Sequence, residues 1–188
     1  MAVINKSVLM ARKYISSCVS DGDRVIDATC GNGHDTLFLA KIVGEKGKVF
    51  SFDIQPEALV NTRRLLEANN LADRVHLIQS GHERMDSHVH EKVAAVMFNL
   101  GYLPGGNHKI ITRPDTTVEA LAKSLQLLCA GGVVTVVVYS GHEGGREEKN
   151  TLLNYCRNLN QEYFTVLYYE IINQINEPPS LLVIERLL

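Results

Sequence analysis

Residues 25–36, VIDATCGNGHDT, bring acids, glycines and an asparagine together at a spacing that could hold a cofactor. An apolar run ends in Asp27, and the turn Gly31-Asn32-Gly33 follows before a helical pattern that opens with Asp35. Lacking Cβ atoms, Gly31 and Gly33 can turn tightly and let backbone approach a ligand, while the helix behind them offers unpaired N–H groups to an anion. A second apolar run, residues 48–54, carries Asp53 near its end. Two acids at neighbouring strand ends beside a glycine turn describe a cradle for a nucleotide-like cofactor.

A dinucleotide-binding loop also combines a strand, a glycine turn and a later acid, but Thr36 stands where its third glycine would be. An ordinary strand-to-helix turn with a capping acid is the structural alternative. The D-x-x-x-G-x-G order, with an acid closing the next strand, resembles the class I S-adenosylmethionine (SAM) methyltransferases. That resemblance implies that Gly31 and Gly33 accommodate the methionine part and that Asp53 binds the ribose hydroxyls.

A second cluster is Asn99-Leu100-Gly101-Tyr102-Leu103-Pro104-Gly105-Gly106-Asn107-His108. Glycines, proline and an aromatic after a strand suit the wall of a pocket that a flat substrate enters. A similar loop, SGHEGGREE over residues 140–148, follows the next strand. Lys109 and Arg113 follow the fourth predicted strand, while Arg146 and Lys149 follow the fifth. With a formal net charge of -2, contact with nucleic acid must come from such a local patch and not from a global basic field.

The elements that must position these residues alternate. Strands are predicted at 24–28, 48–54, 75–80, 93–100, 133–140, 164–172 and 181–187. Helices are predicted at about 5–19, 35–43, 56–69, 116–128 and 146–159, with a short piece near 83–88. Strands separated by helices require a parallel sheet covered on both faces, and the loops after its strands emerge at one edge. The last two strands are joined only by NQINEPPS, so they form an antiparallel hairpin. The expected fold is α/β, a Rossmann-like sheet of seven strands, in one domain spanning 1–188.

Apolar residues make up 45% of the chain, yet no run reaches the ~18 residues of a membrane span, and no secretory signal pattern opens it. Cys18, Cys30, Cys129 and Cys156 lack C-x-x-C spacing, which fits reduced thiols in a cytoplasmic protein. His88 and His90 form a pair without further ligands, so no metal site is expected.

DATCGNGHDT, FDIQPEAL, NLGYLPGGNH, TRPDTT, VVVYSGHEGGREE and NEPPSLLVIE together resemble a family of small bacterial proteins labelled rRNA methylases. Its members are tRNA methyltransferases acting on the 5-aminomethyl group of the 2-thiouridine-type wobble base, and the resemblance runs from about Asp21 onward. It implies SAM as cofactor, the tRNA anticodon region as partner and a homodimer. NLGYLPGG also resembles the Asn-Pro-Pro-Tyr motif of exocyclic-amine methyltransferases, from which only Asn99 and Tyr102 carry over.

On this reading the cofactor residues are Asp27, Gly31, Asn32, Gly33, Asp35, Asp53, Gln55, Ser80 and His82. Asn99 and the Leu100 carbonyl orient the amine, with Tyr102 nearby and His108 and His142 as candidate proton acceptors. Pro104, Gly105, Gly106, Lys109, Arg113, Tyr139, Gly144, Gly145 and Arg146 form the substrate side. The alternatives are methylation of rRNA or a small amine by the same fold, a noncatalytic SAM-binding protein, and a nicotinamide oxidoreductase.

Overall fold

The computed structural model describes residues 6–106, 110–141 and 143–188. Its strands are β1 (Arg24–Asp27), β2 (Lys48–Asp53), β3 (Val75–Gln79), β4 (Val93–Asn99), β5 (Leu128–Val138), β6 (Phe164–Tyr169) and β7 (Ser180–Arg186). The helices are α1 (Ser7–Cys18), α2 (His34–Ile42), α3 (Pro56–Glu67), α4 (Pro114–Leu127) and α5 (Gly145–Arg157). The strands form one sheet in the order β3-β2-β1-β4-β5-β7-β6. Neighbours among β1 to β5 are parallel, while β7 is antiparallel to both β5 and β6. The expected α/β sheet with its C-terminal hairpin is therefore present, and the hairpin is seated with β7 inward.

Alternation along the strands divides the core into two layers. Ile26, Phe52, Val96, Phe98 and Val136 pack with Leu121 of α4 and Leu152 of α5. Val25, Val49, Ala95 and Met97 face the other way, against Ile15 of α1, Leu39 of α2 and Leu66 of α3. Helices on both faces leave the carboxyl ends of β1, β2 and β4 open. There the strand order reverses direction, which is where open α/β sheets bind ligands.

Several boundaries differ from expectation, among them the end of β6 at Tyr169 and not at residue 172. β5 begins at Leu128, because Val93 pairs with Leu128 while Ala95 pairs with Val133, so the Gly131-Gly132 segment is an irregularity within the strand and not its start. α4 begins at Pro114, whose fixed φ suits the first helical turn. The short piece near 83–88 is a 3-10 stretch, His82–Ser87, with a non-helical residue at Arg84.

Candidate active site

A cleft of about 1020 Å³ opens at the carboxyl edge of the sheet, walled by the loops after β1, β2, β3, β4 and β5 and by the segment entering β7. On the β1–β2 side, the Gly31 N–H donates to Asp53 Oδ2 and the Gln55 N–H to Asp53 Oδ1, each at 2.9 Å. One carboxylate thus clamps two loops, and Gly31, Asn32, Asp53 and Gln55 all line the cleft. Gly31 has φ 54, the left-handed region that favours glycine. The Asn32 side chain bridges the glycine turn to the Pro104 carbonyl and to Asn61, at 3.1 Å each, so it ties loops together as well as lining the wall.

Two expected cofactor residues lie behind the cleft. Asp27 is 1% exposed, accepts the Thr36 hydroxyl at 2.6 Å and the Thr29 N–H at 3.1 Å, and does not line the cavity. Burial, reinforced by the nearby Asp35 charge, raises its pKa to about 7. It organises the turn from below. Gly33, at φ 81, caps α2, and a Cβ there would come within 2.9 Å of the Thr62 backbone. Its missing side chain therefore lets α3 pack closely, where the sequence suggested an approach to ligand. Cys30 donates to Thr62 at 2.9 Å, and burial pushes its thiol up to about 12, so it is not poised as a nucleophile.

Asp35, Asn99 and Tyr139 meet on the cleft wall. The Asn99 N–H donates to Thr29 Oγ1 at 2.7 Å, and Asn99 Nδ2 donates to Asp35 Oδ2 at 3.3 Å. Arg12 of α1 donates through Nε and Nη2 to Asp35 Oδ1, at 2.9 and 2.8 Å. Among the described residues, Asn99 Oδ1 is buried without a hydrogen-bond partner. Burial raises the pKa of Tyr139, and the Asp35 charge adds to this.

Beyond β3, Ser80, His82 and Glu83 line the far wall. His82 is buried edge-on against Phe98, and burial lowers its pKa, so it is neutral. Its Nδ1 lies 3.3 Å from the Ala28 carbonyl, which only accepts. The proton therefore sits on Nδ1, leaving Nε2 as an acceptor.

After β4, Leu100 is buried and the chain folds back on itself: Tyr102 bridges Ile111, the Thr112 N–H donates to the Gly101 carbonyl, and the Gly101 N–H donates to Thr112 Oγ1. Glu148 of α5, only 1% exposed, accepts the hydroxyls of Thr112 and Thr117 at 2.9 and 2.7 Å, anchoring this fold-back to α4 and α5. Leu100, Tyr102, Pro104, Arg113 and Tyr139 line the cleft. Gly105 and Gly106 do not line it. Gly106 packs on Leu103, which accounts for its lack of a side chain.

Gly144 and Arg146 instead line an adjoining hollow of about 580 Å³, and Gly145 is buried as the first residue of α5. Arg146 is ion-paired with Glu177, and Lys149 with Glu170, so both expected cations after β5 already have carboxylate partners. His108, Lys109 and His142 lie outside the described residues. His88 packs edge-on against Phe52, which gives half of the His-x-His pair a packing role.

Sequence reasoning missed Arg12, Thr29, Glu148, Glu177, Pro178 and Pro179. The last three cleft residues carried a usable signal. An antiparallel β7 must start at the edge where β5 ends, and Val138 does pair with Ser180. Arg12 stands among polar residues of the first helical stretch and Glu148 within the charged run REEK, and neither position by itself signals a partner.

Comparison with known proteins agrees with this architecture. Residues 49–185 match the family described as "Putative rRNA methylase". The chain belongs to that family. It is 37% identical, over 96% of its length and 70% of the relative's, to the tRNA (mnm(5)s(2)U34)-methyltransferase, chloroplastic, of Arabidopsis thaliana. The crystal structure of the protein named "putative rRNA-methylase" from Clostridium thermocellum superposes with TM-score 0.97 at 50% identity, covering 99% of this chain and 100% of that one. A protein from Streptococcus mutans described as "a putative methyltransferase", solved in complex with SAH, superposes with TM-score 0.91 at 40% identity, covering 98% and 100%.

The protein is a SAM-dependent methyltransferase, and its cleft fits that cofactor. Each Asp53 oxygen accepts one backbone N–H and retains acceptor capacity, as a pair of vicinal ribose hydroxyls requires. The neutral His82 keeps an acceptor nitrogen, a complement for an exocyclic amine. Among the described residues no group of His, Cys, Asp and Glu is arranged to hold a metal, and no helix is long and apolar enough to cross a membrane.

Proposed function

We propose that this methyltransferase converts the 5-aminomethyl group of a wobble uridine or 2-thiouridine in tRNA to its methylaminomethyl form. The observation that carries the reading is the Arabidopsis relative, whose name specifies that wobble position and which aligns with 96% of this chain. The unspent Asn99 Oδ1 supports it, because an amine nucleophile needs acceptors to aim it.

SAM supplies an electrophilic methyl group on a sulfonium. Asn99 Oδ1 and the Leu100 carbonyl accept N–H groups of the incoming amine and turn its lone pair toward the methyl carbon. Asp53, Gly31 and Gln55 fix the cofactor end, with His82 on the base side. Asp35 holds the Asn99 amide, and Tyr139 closes the wall next to it. The amine reacts in its neutral form and sheds one proton overall, since a secondary amine and a thioether are the products. Pro104 and Tyr102 flank the entrance, with Arg113 set to meet a phosphate.

Purified protein, SAM and tRNA carrying the aminomethyl precursor should yield one added methyl group by nucleoside mass spectrometry, while tRNA with an unmodified wobble uridine should yield none. Because Arg146 and Lys149 are already paired, the salt dependence should be shallow, at roughly one unit of logarithmic slope per phosphate engaged. Methylation of rRNA alone, or of unmodified tRNA, would overturn the substrate assignment.

A further inference from the structure

We propose that Arg12, on α1 and without contact to the reacting groups, is a positioning residue that sets the orientation of the Asn99 amide through Asp35. The inference rests on the reading of Asn99 as the amine's acceptor. An asparagine side chain presents an acceptor at one end and donors at the other, in nearly the same shape, and only the acceptor end serves an N–H group of the substrate. What decides which end is offered is the partner of the other end. Here that partner is a carboxylate in an ion pair, which accepts and does not donate, so Nδ2 is drawn to Asp35 and Oδ1 is left over.

Asp35 can play this part only if its own charge is compensated, because it is just 8% exposed. Arg12 provides the compensation through two N–H groups on the same oxygen, Oδ1. That leaves Oδ2 for Asn99. The guanidinium is itself fixed: Nη2 also donates to the His34 carbonyl at 3.2 Å, and the group lies 5.2 Å from the centre of the Phe38 ring. Arg12 is thus bound to three points on α2, the helix that carries Asp35. At the near end of α1, the Ser7 hydroxyl donates to the Pro179 carbonyl on the opposite wall. The helix braces the cleft from both sides.

Without Arg12, Asp35 is a nearly buried carboxylate with no counter-charge. Turning away toward water relieves it and frees the amide to rotate. A rotated amide offers N–H groups to an amine that also brings N–H groups, and the lone pair is no longer aimed.

The test is a double-mutant cycle on single-turnover methyl transfer, using Arg12→Ala, Asn99→Ala and the pair, with SAM affinity measured by calorimetry. Arg12→Ala should slow transfer by about 10- to 100-fold, as misplacement of a positioned group does, while SAM affinity stays within about threefold. In the Asn99→Ala background the same substitution should cost nothing further, because its route is already cut. Arg12→Lys, which keeps the charge but not the two-donor grip, should recover part of the rate. If Arg12→Ala does not fold, Arg12→Gln carries the cycle instead.

Equal losses in both backgrounds, or a fall in SAM affinity that matches the fall in rate, would overturn the inference. A slow Asn99→Ala beside a normal Arg12→Ala would overturn it alone. A normal Asn99→Ala would remove the amine-acceptor reading and this inference with it.

Discussion

Replacing Asp53 should damage cofactor binding more than its single position suggests, because its carboxylate does two jobs. Its oxygens already accept the Gly31 and Gln55 N–H groups at 2.9 Å, and their remaining lone pairs face the cofactor's hydroxyls on our reading. In Asp53→Ala, loss of the charge-assisted bonds to ligand should weaken SAM binding by about 1–3 kcal/mol, or roughly 5- to 150-fold in Kd. The two backbone donors also lose their acceptor. Asp53 is half-buried and water can replace part of what is lost, so this second effect should be about 1–2 kcal/mol of stability, lowering Tm by about 2–8 °C. Asp53→Asn is no milder in principle. One end of an amide must point its own N–H groups at a backbone donor, so its affinity loss should approach that of alanine. Calorimetric titration with SAM or SAH, alongside thermal melting of the free protein, separates the two effects. A folded Asp53→Ala protein with unchanged affinity would show that the clamp is purely structural and would refute the reasoning.

Three further outcomes are expected. Asn99→Ala should bind SAM normally yet lose most single-turnover transfer, since its side chain orients the nucleophile; a near-normal rate would discard the assignment. Gly33→Ala should lower stability by about 1–3 kcal/mol in urea melts, because a left-handed φ of 81 and contact with Thr62 add together. Gly105→Ala, whose Cβ would meet nothing within 4 Å, should cost less. Asp27 has a folded pKa raised from 3.8 to about 7, so the folded state binds its proton more tightly and this contribution to stability is full below pH 3.8 and lost as pH rises through about 7. Asp27→Asn, whose amide can still serve Thr29 and Thr36, should flatten that decline in melts run from pH 4 to 8; an unchanged slope would exclude Asp27 as its source.

Much of the site was legible because it is built locally. Gly31, Asp53 and Gln55 sit at strand ends whose spacing follows from the strand-turn-helix repeat, and all three reach the cleft. Asp27 and Gly33 obey the same spacing but face inward, and only the packing of Thr36 above one and Thr62 against the other reveals it. Arg146 reads as a phosphate contact until Glu177, 31 residues away, is found paired with it.

By itself, the sequence determined the alternation of strands and helices, hence the parallel sheet, the open carboxyl edge and the side on which the glycine turn must lie. These follow from periodicity and chain connectivity, which act between near neighbours. Tertiary structure alone decided that β7 and not β6 inserts beside β5, that Glu148 of α5 anchors Thr112, and that Arg12 of α1 reaches Asp35. Each joins residues far apart in the chain, and a charged side chain shows no sign in sequence of which distant partner will neutralise it once water is excluded.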